Sequence, residues 1–177
     1  CRYSRDVIRT VAGKARRVLV LSPAAGEGTI RTQRRGQRKY HLVVEGRPQR
    51  IGKAAGSPEP LLWFSGKLAH IASLSSRKER IAVSAVNVKT ESFQHFLPHR
   101  ITATLIISYL DEKKAESAEA KVRSFLGKRQ MRWSLEQISD RPPMKDRTNS
   151  SRLAGSLAAI AKKWDIPLMK ESSLLPS

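Results

Sequence analysis

One cysteine, Cys1, is too few for a disulfide within this 177-residue chain, and a Cys/His zinc knuckle is nearly excluded with it. The four histidines show no metal-like spacing. No apolar run reaches the roughly 18 residues needed to cross a bilayer. No initiator Met or signal-type apolar core is present, so Cys1 reads as the first residue of a cut-out piece of a longer protein rather than the lipidated first residue of a processed lipoprotein. A cytoplasmic location is expected. Aromatics make up only 6% of the chain. There is accordingly no aromatic-rich strand pair for stacking nucleic-acid bases, and no helix-turn-helix or zinc-finger pattern. Acidic residues are scarce, 15 against 34 basic, which leaves a net charge of +19. Over half of that excess lies between Arg2 and Lys53, where 14 basic residues face Asp6, Glu27 and Glu45. Such a field attracts nucleic acid, acidic membranes or anionic substrates, with a solvated basic surface as the default.

What is there is a core-forming α/β pattern, since 40% of the residues are apolar and they are spread along the chain. Ser4 to Ala15 has helical spacing, with Val7, Ile8, Val11 and Ala15 on one side. Val18 to Leu21 is a continuous apolar run that predicts a strand buried on both faces, stopped by Ser22-Pro23 and a turn at Gly26-Glu27-Gly28. Lys39 to Glu45 alternates as a strand. Glu59 to Ser73 predicts a helix with Leu61, Leu62, Phe64, Leu68 and Ile71 inward. Ile81 to Lys89 and Ile101 to Leu110 predict two strands, with Ala82, Val86 and Val88 filling in around the face of Ile81, Val83 and Ala85. Asp111 caps a helix to about Leu126 that buries Ala115, Ala118, Val122 and Leu126, and Gly127 ends it. Met131 to Ile138 returns as a strand with Met131, Trp133 and Leu135 on one side.

That order, β-α-β-β-α-β, predicts an α+β, ferredoxin-like arrangement: a four-stranded antiparallel sheet with two helices on one face. After the rigid Asp140-Arg141-Pro142-Pro143-Met144 exit, Thr148 to Trp164 is a helix whose stripe is Leu153, Leu157, Ile160, Ala161 and Trp164. A short strand begins at Ile166-Pro167-Leu168. Residues 34–139 therefore read as one unit, and 1–33 and 140–177 as flanking stubs of an α/β domain.

The landmarks VLVLSPAAGEG, RRGQRKYHLVVEG, Arg80 to Val88, LPHRITATLIISYLD, DRPPM and RLAGSLAAIAKKWDIPLMKESS occur in an order that resembles a known family. It is the zinc-dependent carboxypeptidase and deacylase family that includes glutamate carboxypeptidase, acetylornithine deacetylase and succinyl-diaminopimelate desuccinylase. The resemblance implies a lid and dimerisation domain carried on a catalytic domain that holds two zinc ions. Hydrolysis of an amide next to a carboxylate is the activity it implies. It also implies pairing of the lid helix and edge strand with a second copy.

The groups that would do chemistry are replaced. Ser22 stands where the family has a metal-binding glutamate. Arg50, in Gln49-Arg50-Ile51-Gly52, stands where a loop histidine polarises the scissile carbonyl. His95 takes the place of an Asn, and Ser108 that of a basic residue, both of which hold the substrate carboxylate. No catalytic residue, metal ligand or cofactor is therefore expected in this chain, and zinc only in a complete member. Candidate anion contacts are Arg141, fixed by Pro142-Pro143, then Arg50 and His95. Each has a plain structural counterpart: a salt bridge of Arg141 to Asp140 or Asp146, a solvated loop charge at Arg50, a strand-end imidazole at His95. Trp63 is open between a partner surface and the chain's own core. The second functional reading is a basic module for nucleic acid or an acidic protein, which would need Tyr40, Trp133 and Tyr109 on the open sheet face.

Overall fold

The computed structural model describes residues 2–20, 28–53, 59–127 and 131–173. In chain order the elements are α1 (Arg2–Lys14), β1 (Thr29–Arg34), β2 (Gly36–Glu45), α2 (Pro60–Ala72), β3 (Ala82–Glu91), β4 (Arg100–Tyr109), α3 (Glu112–Leu126), β5 (Arg132–Arg141), α4 (Thr148–Lys162) and β6 (Met169–Ser173).

Four strands form an antiparallel sheet in the order β3-β4-β2-β5. This is the ferredoxin-like order, with the first and third strands of the motif at the centre. Alternation decides which residues it buries. Tyr40, Leu42 and Val44 of β2 share a face with Ile101, Ala103, Leu105, Ile107 and Tyr109 of β4. Phe64 and Ile71 of α2 and Ala115, Ala118, Val122 and Leu126 of α3 close over that face. The small residues of α3 let its backbone approach the sheet. Burying a side chain such as Phe64 contributes about 1.5–3 kcal/mol by area.

Local signals set the helix ends. Pro60 opens α2, where its missing N–H costs nothing. The Asp111 side chain accepts from the Lys113 N–H at 2.9 Å to start α3, and Gly127, at φ +64°, ends it.

Several expectations from the sequence are corrected. Leu62 is 70% exposed, whereas Trp63 packs against the core of its own chain. Helical phase explains this: Leu62 lies two positions, about 200°, from Phe64 and so on the opposite side of α2. Val86 and Val88 are also exposed: alternation after Val83 and Ala85 turns Val86 outward, and Val88 lies in the bulge between Val86 and Lys89, where Asn87 sits at φ +53°.

Expectations outside this sheet are corrected as well. β1 and β6 pair with each other, parallel, in a sheet of two strands among the described residues. Residues 18–20 form no strand and are exposed, since no strand of this sheet lies beside them. Leu21, Ser22-Pro23 and Gly26-Glu27 fall outside the described residues. The α1 stripe of Val7, Ile8 and Val11 is exposed, and so are Ile160 and Trp164 on α4, which buries Ala154 and Ala161 instead. The strand expected from Ile166 begins at Met169.

Candidate functional site

The chain leaves β2 at Glu45, and the Gly46 N–H donates to the His99 carbonyl at 2.8 Å. From there the loop 47–53 runs beside the loop after β3. Leu97 N donates to Gln49 O at 2.8 Å, Ile51 N donates to His95 O at 3.0 Å, and Arg50 and Phe96 form an antiparallel bridge. His95 sits at φ +66° and Gly52 at φ +85°, left-handed positions that let both loops turn sharply. An open cleft of about 400 Å³ results, lined by Arg50, Ile51, Gln94, His95 and Phe96. The Arg50 guanidinium lies 5.8 Å from the centre of the Phe96 ring. Phe93 stacks on His99 at 4.8 Å and meets Phe96 edge-on at 6.3 Å.

Two candidates far apart in sequence, Arg50 and His95, thus share one cleft. A permanently charged guanidinium beside an imidazole and an amide can hold a carboxylate. The guanidinium cannot shuttle a proton at neutral pH.

Arg141 is elsewhere. It stands opposite Gln37 at the start of β2, whereas the cleft lies past Glu45 at the strand's end. Eight residues of strand separate the two, roughly 26 Å at 3.3 Å per residue. At that end of β2 the structure gathers residues from separate segments of the chain. Arg34 and Met144 exchange two backbone hydrogen bonds of 2.9 Å, which brings β1 against the Pro142-Pro143 exit. Arg35 donates to Ser108 Oγ at 2.9 Å, to the Ser108 carbonyl at 3.0 Å and to the Arg80 carbonyl at 2.6 Å. A guanidinium therefore reaches Ser108 from the neighbouring strand. Burial pushes the Arg35 pKa down, and Arg34 is lowered by burial, then by the charges of Arg141 and Arg31.

A third polar group lies under α3. The Tyr40 hydroxyl donates to Glu119 at 2.5 Å, and Arg123 donates to the same carboxylate at 2.9 Å. Arg38 is within 3.8 Å of Glu116, Glu119 and Asp140, and Tyr109 donates to Asp140 at 3.2 Å. Burial would raise the Glu119 pKa, but the Tyr40 hydroxyl, then Arg123 and Arg38, hold it below the usual carboxylate range. Burial first, then Glu119, push the Tyr40 phenol well up. This network ties α3 to the sheet.

Nowhere among the described residues do three His, Cys, Asp or Glu side chains converge. No helix in the described residues is long and apolar enough to cross a membrane.

The four-stranded sheet with its two helices defines an α+β, ferredoxin-like domain. No protein-family profile matches the chain, and no curated protein sequence matches it. Solved structures do. Aminopeptidase PepT from Bacillus cereus ATCC 10987 aligns over 85% of this chain and 41% of its own, with TM-score 0.66 and 14% identity. An amidohydrolase/peptidase from Burkholderia cenocepacia, itself titled putative, aligns over 94% and 39%, with TM-score 0.61 and 16% identity. A hydantoinase/carbamoylase-family amidase from Burkholderia multivorans aligns over 81% and 36%, with TM-score 0.61 and 16% identity. The chain spans less than half the length of these proteins, and at such identities the likeness is one of fold.

Proposed function

We propose that this chain is the lid and dimerisation part of a metal-dependent hydrolase of amide bonds next to a carboxylate, of the glutamate carboxypeptidase type, and is not catalytic by itself. The observation that carries this reading is the insertion of the whole four-stranded sheet between two parallel strands, β1 and β6. A parallel pair belongs to a larger α/β sheet, and an insertion between its strands is how a lid is mounted on one. In this reading residues 34–139 are the lid, 1–33 and 140–177 belong to the catalytic domain, and the zinc ligands come from other parts of a complete protein. The location is cytoplasmic.

A homodimer forms through α2 and β3. The two elements pack together at one edge of the sheet, and α2 turns Leu62 and part of Leu61 to solvent beside it. Two copies pairing these edges would bury both leucines and extend the sheet. In such a dimer the Arg50–His95 cleft is the part of the lid that takes a substrate carboxylate.

The alternative, a basic nucleic-acid or acidic-protein module, rests on charge alone. Tyr40 and Tyr109 are each 1% exposed within the helix-covered core, and Trp133 packs against that core, so these rings do not furnish a stacking surface.

Light scattering tests the dimer. The chain should run as a dimer and Leu62→Asp as a folded monomer; a monomeric parent chain at all concentrations refutes the assembly. Metal analysis with an N-acyl-glutamate hydrolysis assay tests the chemistry. Stoichiometric zinc with turnover would overturn the non-catalytic reading. Salt-sensitive RNA binding at physiological ionic strength would favour the alternative.

A further inference from the structure

Aromatic rings gather beside the Arg50–His95 cleft. Phe93 is 62% exposed, although it stacks on His99 at 4.8 Å and meets Phe96 edge-on at 6.3 Å. The buried His99 Nδ1 makes no hydrogen bond, so this imidazole serves as a stacking plane that holds Phe93 in place. Ile51, on the facing loop, lines the cleft and is 67% exposed. Large apolar side chains left open around a cleft mark a surface that a ligand covers.

The permanent charge in the cleft is single. Arg50 lies over the Phe96 ring, and its side chain forms no hydrogen bond or ion pair among the described residues. Two acids at this end of the sheet, Glu45 and Glu91, are taken by Arg100 at 3.6 and 3.4 Å. A guanidinium on a ring face keeps its N–H fork in its own plane, where it matches one carboxylate with paired hydrogen bonds. Among the lining residues Arg50 alone carries a fixed charge, and Ile51 and Phe96 are apolar. A second carboxylate on the ligand would meet that apolar surface without a partner. A cleft of about 400 Å³ suits one amino-acid-sized group.

We propose that this cleft binds an N-acylated amino acid with an aromatic side chain, its carboxylate on Arg50 and its ring against Phe93 and Phe96. The inference rests on the carboxylate reading of the cleft given above and adds the side chain, an aromatic ring in place of glutamate. A ligand ring completes the cluster that Phe93 leaves open, because ring pairs attract at centroid separations of about 4.5–7 Å. The acyl group comes from an acylated free amino acid or from the preceding residue of a peptide.

Calorimetry on the full chain, with N-acetylphenylalanine, N-acetylglutamate and adenosine monophosphate as probes, tests this. N-Acetylphenylalanine should bind roughly tenfold more tightly than N-acetylglutamate. Arg50→Gln should weaken its binding roughly tenfold. Phe93→Ala should abolish the preference, bringing the two amino acids within about twofold, and Phe93→Tyr should retain it. Both side chains are exposed, so the circular dichroism of each variant should match the parent. Equal or tighter binding of N-acetylglutamate overturns the aromatic preference and leaves the carboxylate reading standing. Binding of neither amino acid overturns both. Tighter binding of adenosine monophosphate, an anion on a flat base, overturns the assignment to an amino acid. A tripeptide ending in phenylalanine separates the sources: tighter binding than N-acetylphenylalanine supports a peptide C-terminus as the ligand, and weaker binding supports an acylated free amino acid.

Discussion

Replacing Tyr40 by Phe removes one oxygen from the network beneath α3 and leaves the ring's packing intact. The lost bond is the 2.5 Å donation to Glu119. A hydrogen bond to a charged group contributes about 1.5–3 kcal/mol. Glu119 keeps Arg123 at 2.9 Å and Arg38 at 3.8 Å, so it is not orphaned, and the lower end, about 1.5 kcal/mol, is expected. The sign with pH follows from linkage. Folding holds the Glu119 pKa below its unfolded value, so its contribution is present above about pH 4.3 and is lost as pH falls through the folded value. Folding raises the Tyr40 pKa, so that contribution is present below about pH 10 and is lost as pH rises further. Urea unfolding followed by tryptophan fluorescence should show the full gap between parent and Tyr40→Phe at pH 7, narrowing toward both extremes. A cycle with Glu119→Gln isolates the pair. A coupling below about 0.3 kcal/mol, or a gap unchanged from pH 7 down to about pH 2, would refute this account of how α3 is held.

Two further substitutions probe the frame. Asp111→Ala removes the cap on the Lys113 N–H and should cost about 1 kcal/mol in chemical denaturation, with Asp111→Asn recovering most of it. Gly36→Ala should cost about 1–3 kcal/mol and lower Tm, because its Cβ would lie 2.8 Å from the Pro143 backbone nitrogen and from the Tyr109 ring.

The sheet and its helices were legible because each element carries its own signal. β4 is strongly apolar and alternates in burial from Arg100 to Ile107, α3 repeats small residues at helical spacing between Asp111 and Gly127, and the order of elements admits few topologies. Four consecutive apolar residues, Leu61 to Phe64, hid the phase of α2, since only Phe64 and Ile71 together fix which side faces in. The strand β1, TIRTQR, has no apolar alternation; it exists because MKESS pairs with it from the far end of the chain. Val18 to Val20 misled for the opposite reason, as apolar character alone builds no strand without a neighbour. The cleft was half legible. Arg50 and His95 stood out by type, but their meeting depends on two loops exchanging backbone bonds, which no local pattern encodes. The Arg34–Arg141 junction was less visible still, because it is made by the Met144 bridge.

The Arg34–Met144 bridge has a consequence for how the chain closes. Bringing Thr29 to Met169 in an unfolded chain means shutting a loop of order 100 residues, an entropic cost of roughly 4 kcal/mol. Once the antiparallel sheet has formed, Arg34 and Met144 are already side by side and only short arms remain to be joined. The sheet then acts as a clasp, and the parallel pair is the part that zips last and frays first. Two short strands that could not find each other unaided gain their proximity from the body folded between them.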